Sequence, residues 1–188
     1  MPYEWPHRNL DVAGDFFVDC DDLLERYDVM IERFCDRKSR RLKCFADLRG
    51  AYECILKCAI AYAAPRNELR REIIRGVERH SHNISALEGA VSSEVQSLLS
   101  LKAYGGVLDL LPVGLRYALD GYDFIKANHE TYYRTVGCDS WMDELRAYVG
   151  CIRDAMDGVL ENHSCIVSGA DITLQALLEV EYNKFRKK

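Results

Sequence analysis

Ala51-Tyr52-Glu53-Cys54-Ile55-Leu56-Lys57-Cys58 lies inside a stretch whose apolar residues recur every three or four positions. Leu42, Phe45, Leu48, Tyr52, Ile55, Ala59 and Tyr62 keep this rhythm. At 3.6 residues per turn they fall on one stripe of an α-helix. The spacing predicts a helix over about 40–64, with Ser39 as its cap. Pro65 ends it, because the residue before a proline is pushed out of the helical region. Upstream, Phe16, Cys20, Leu23, Tyr27, Met30 and Phe34 predict a first helix over about 15–36. Two long amphipathic helices joined by a short turn imply an antiparallel hairpin at the centre of an up-and-down bundle.

The rest of the chain is read the same way. Leu69, Ile73 and Val77 mark a short third helix, and 80–83 reads as a break. A helix resumes through Ile84, Leu87, Val91, Val95 and Leu98. Glycine and proline punctuate an irregular middle, which Leu108, Leu111, Leu115 and Tyr117 anchor to the core. Trp141, Leu145, Tyr148, Ile152, Met156 and Val159 give a late helix, with Asp139 or Ser140 as its cap. A last helix is predicted over about 171–184. No alternating strand pattern and no internal repeat is present, so the fold class predicted is all-α.

Composition bounds the function classes. The 188 residues are 48% hydrophobic and 29% charged, an ordinary globular balance. A net charge of −5 argues against wholesale coating of nucleic acid. The N-terminal residues show neither a basic n-region nor an apolar h-region, and no apolar run reaches membrane-spanning length. The expectation is a cytoplasmic protein without membrane association. Eight cysteines fall mostly on or beside apolar stripes, Cys20 and Cys151 among them, and read as buried free thiols. Cys54 and Cys58 share a helix face, but no second pair at finger-like spacing follows, so neither metal nor cofactor is expected. Asp19-Cys20-Asp21 lies inside a helical pattern with no Gly-Ser before it. P-loop, nucleophile-elbow and H-E-x-x-H patterns are absent.

Two short patterns carry more. Ala51, Glu53 and Lys57 spell A-x-E-x-x-x-K, and His82-Asn83-Ile84-Ser85-Ala86-Leu87 spells H-[ND]-[LI]-x-x-L. Their plain structural readings are a helix-surface ion pair between Glu53 and Lys57, worth about 0.2–0.5 kcal/mol, and an Asn83 cap with His82 bonded to a nearby carbonyl. Taken together and in this order, the patterns resemble the HEPN family of helical bundles. Arg116-Tyr117 resembles that family's Arg-Tyr-Pro element, with Ala118 in place of the proline. The resemblance implies a HEPN-like bundle over 1–165, with a C-terminal helix over 166–188 packed on it or extending from it. It implies a homodimer. It also implies a non-catalytic module binding a nucleotide-like ligand through Glu53, Lys57, His82, Asn83, Arg116 and Tyr117. Such modules act with a separate nucleotidyltransferase, in systems of toxin–antitoxin type.

The resemblance carries an alternative, a metal-independent RNase with an R-x4–6-H motif. Arg75 precedes His80 by four intervening residues and His82 by six. In that chemistry the arginine stabilises the phosphate and the histidine moves protons during attack by the 2′-hydroxyl. Gly76 stands where the family motif has Asn or Asp. Arg71, Arg75 and Arg79 form a stripe opposite Ile73 and Val77, which reads either as a phosphate-attracting face or as a solvated one. A second basic cluster, Arg37, Lys38, Arg40, Arg41 and Lys43, is read as solvating the first interhelical turn.

Overall fold

The structure is a computed structural model that describes residues 8–34, 38–111, 115 and 118–164. Among these, every regular element is a helix. They are α1 (Arg8–Phe34), α2 (Lys38–Ala63), α3 (Arg70–Glu78), α4 (Ile84–Ala90), α5 (Ser93–Leu98), α6 (Gly105–Leu108), α7 (Ala118–Ala127), α8 (His129–Arg134) and α9 (Asp139–Ser164). The expected all-α bundle is what forms. No described helix is long and apolar enough to cross a membrane. The expected C-terminal helix, 166–188, lies outside the described residues.

The first compact unit ends at Met156. Its centre is the predicted hairpin. Asn9 Nδ2 donates to the Tyr62 carbonyl at 2.9 Å, Arg26 pairs with Asp47 at 2.8 Å, and Leu23 packs on Gly50. These partners run in opposite order along α1 and α2, so the helices are antiparallel. On α2, Leu42, Phe45, Leu48, Tyr52, Ile55 and Ala59 are all buried, as the apolar stripe requires. α9 lies along the same pair. Phe45 meets Trp141 and Tyr52 meets Tyr148, while Asp28 and Asp21 of α1 grip Arg146 and Arg153 with two oxygens each. The second unit begins at Asp157, and its described part, 157–164, is helical.

Bidentate arginine–carboxylate pairs are geometrically well formed but partly wet here: the Asp28 side chain is 48% exposed. Asp28→Ala is therefore expected to cost about 1 kcal/mol or less. The loss should shrink in 1 M salt, where screening is strong. Urea unfolding at two salt concentrations checks this, and a salt-independent loss would rule out the ion pair as the cause.

Several boundaries differ from the sequence expectation. α1 starts at Arg8 rather than near 15, because Val12 and Ala13 are buried and Asn9 ties its first turn to the end of α2. Ser39 lies inside α2 rather than capping it, and Asp139 is already helical in α9. The helix expected from Ile84 through Leu98 breaks in two. Val91 is extended, and the Ser92 side chain accepts from Val95 N–H to start α5. Leu69 is exposed and stands before α3 as its N-cap, while Ile73 and Val77 bury as expected.

Arg41 does not solvate the turn. It is buried, donates to the Val136 carbonyl and pairs with Asp139 at 2.5 Å, fastening α2 to the start of α9. Cys20, Cys44 and Cys58 are buried, whereas Cys151 is exposed. Burial pushes the Cys20 thiol up, and those of Cys54 and Cys58 to about 12. They pack as small hydrophobes, and no metal-binding cluster occurs among the described residues.

Candidate functional site

The two motifs meet. Glu53, in the middle of α2, is only 6% exposed. Lys57, one turn on, donates to its Oε1 at 2.6 Å. The pair that sequence reads as a surface bridge is thus largely buried. The imidazole of His82 joins it, with Nδ1 at 2.9 Å from Oε1 and 3.1 Å from Oε2. A carboxylate oxygen only accepts, so Nδ1 carries a hydrogen, and in the neutral imidazole Nε2 is then an acceptor. His82 therefore bonds to Glu53 rather than to the carbonyl that sequence suggested.

Local structure aims that imidazole. Arg79, Ser81 and Asn83 N–H groups bond back to Arg75, Glu78 and His80, making a tight turn after α3. Ser81 sits in the left-handed region at φ 50°, which turns the chain back toward α2. Asn83 then caps α4 as expected, accepting from Ala86 N–H at 2.7 Å. Asp109 completes the cap from outside the helix, accepting from Ile84 and Ser85 N–H at 2.8 and 3.0 Å.

Arg49 completes the cluster and escaped the sequence reading. It donates to the His82 carbonyl at 2.7 Å, approaches Glu53 Oε2 at 3.4 Å and lies 4.0 Å from Asp109. Burial pulls its guanidinium below the usual range, and the two acids oppose this. The available signal was Arg49-x-x-x-Glu53-x-x-x-Lys57, three charges in one line along α2. Glu88 was missed too. It accepts from the Tyr52 hydroxyl at 2.8 Å and from the N–H groups of Tyr104 and Gly105, joining α2, α4 and α6.

Burial raises the Asp109 carboxyl, but bonds from Ser85 and Ile84, with Arg49 beside it, together hold it below the ordinary value. A depressed carboxyl contributes stability that is present above the unfolded value and lost as pH falls through the folded one. Wild type is therefore expected to lose this contribution below about pH 4. Asp109→Asn should flatten that part of the stability curve. Thermal melts in steps from neutral to acid pH test it, and superimposable curves for the two proteins would contradict it.

Beside the cluster, residues of α1 and α2 line a cleft of about 760 Å³. Leu23, Val29, Met30, Phe45 and Leu115 give it apolar walls. Arg26, Asp47, Arg49, Glu53 and His82 contribute polar groups to its lining. Arg71 and Arg75 are solvated and both pair with Glu72. His80 Nε2 lies 3.2 Å from Arg79 Nε. No described hydrogen bond or ion pair joins Arg75 to either imidazole. Arg116 and Tyr117 lie outside the described residues. Compared with known proteins, the chain matches no family model, no curated sequence and no solved structure.

Proposed function

We propose that the chain is a non-catalytic, HEPN-like binding module that takes a nucleotide-like ligand and acts with a separate nucleotidyltransferase, in a system of toxin–antitoxin type. One observation carries this reading: Glu53 and His82, bonded to each other, line a ligand-sized cleft, and Lys57 is bonded to the same Glu53. Glu53 is committed to Arg49, Lys57 and His82, and Asn83 to its helix cap. These groups hold a shape rather than await a proton. Thermal-shift measurements with nucleosides and nucleotides, alongside capture of a nucleotidyltransferase by the tagged chain, are the test. A flat response with no such partner captured removes the reading.

The RNase alternative has one observation in its favour. His82 is held by Glu53 through Nδ1 while its side chain is 59% exposed, an arrangement suited to proton transfer at Nε2. Cleavage of RNA in EDTA, lost in both Arg75→Ala and His82→Ala, would replace the binding reading. A homodimer is the expected assembly under either reading, and light scattering at tens of micromolar measures it.

A further inference from the structure

We propose that the α1/α2 cleft binds the nucleoside part of its ligand, a purine with a hydrogen-bond-donor edge of the guanine type, and not a polyphosphate. The inference rests on the nucleotide-like reading above and narrows it. Asp47 and Glu53, both on the cleft lining, are spaced to take a nucleoside between them. Asp47 and Glu53 are six residues apart on α2, or about 9 Å along the axis.

Both positions present acceptors. The Asp47 side chain is only 15% exposed, and Arg26 engages Oδ1 alone. Oδ2 makes no hydrogen bond among the described residues. Burial raises this carboxyl and Arg26 offsets part of the effect, so the group gains from a further donor. Near Glu53, the neutral His82 imidazole, with its hydrogen on Nδ1 toward Glu53, offers Nε2 as an acceptor. Two adjacent N–H groups on a purine edge suit a carboxylate, and a ribose hydroxyl suits Nε2. The apolar walls beside them, Leu23, Val29 and Met30 among them, suit a flat ring.

The same inventory disfavours a phosphate chain, which only accepts. Arg26 and Arg49 bond to Asp47, Glu53 and the His82 carbonyl, and Arg49 Nε, which has no partner, is buried out of reach of a ligand. Among the lining residues the acids Glu25, Asp47 and Glu53 equal the bases Arg26, Lys43 and Arg49 in number, so the cleft carries no net positive charge.

Calorimetric titration of the full chain with guanosine, inosine, adenosine and tripolyphosphate tests this. Guanosine is expected to bind, inosine about tenfold more weakly for want of one donor, and adenosine and tripolyphosphate far more weakly still. Asp47→Asn should lower guanosine affinity by about tenfold or more. Ala46→Trp, which fills the cleft, should abolish it, with circular dichroism confirming the fold of both variants. Adenosine binding as tightly as guanosine, or unchanged guanosine binding in either folded variant, would overturn the inference. So would binding of tripolyphosphate alone, which leaves the nucleotide-like reading standing. Binding of none of the four removes both.

Discussion

Glu53→Ala is expected to destabilise the protein by about 3–5 kcal/mol, the typical cost of removing one partner from a buried ion pair. Glu53 has three partners. Without it the side chains of Arg49 and Lys57, 6% and 13% exposed, keep their charges with little water to solvate them. His82 loses the acceptor that holds its ring, so the turn after α3 loosens as well. Glu53→Gln keeps the shape and one acceptor oxygen and should cost less than alanine. Urea unfolding with an unchanged slope and a lower midpoint is the expected signature. A loss under about 1 kcal/mol would mean that the two cations relax into solvent, and that the cluster is a surface feature after all.

Gly105→Ala should cost about 3 kcal/mol, at the upper end of the range for overpacking. A Cβ there would stand 2.5 Å from Ser85 Oγ and 2.6 Å from both its Cα and its backbone nitrogen. Backbone atoms cannot swing aside, so α4 and α6 must separate. That separation also draws the Gly105 N–H away from Glu88, at present 2.9 Å apart. The neighbouring Gly106 has open space around it, so Gly106→Ala serves as the control and should change stability by about 0.5 kcal/mol or less. Removing the Ser85 hydroxyl alone, in Gly105→Ala with Ser85→Ala, should recover little. Full recovery would show that the hydroxyl, and not the backbone approach, sets the limit.

The legible part of the fold was the part with a long repeat. α2 was predicted within two residues at each end, since its apolar stripe runs unbroken from Leu42 to Tyr62 and Pro65 closes it. The short elements were blurred. A stripe through Ile84, Val91 and Leu98 does not reveal that Val91 turns extended, because a local Ser92 cap competes with helix continuation there. Arg41 was read as solvating a turn because arginine is seldom buried. Its carbonyl and carboxylate partners lie some 95 residues away, beyond any local pattern.

Sequence by itself determined the all-α class and the Asn83 cap, because each follows from interactions within a few residues along the chain, and the central hairpin, because two long apolar stripes joined by a short turn pack on each other. It also singled out Glu53, Lys57 and His82. Only the tertiary structure decided that these three form one cluster, that Arg49 and Asp109 complete it, and that a cleft opens beside it. A residue's partners across helices depend on how the stripes pack. A buried carboxylate must find cations wherever the packing places them, since burial without partners costs more than the fold can spare.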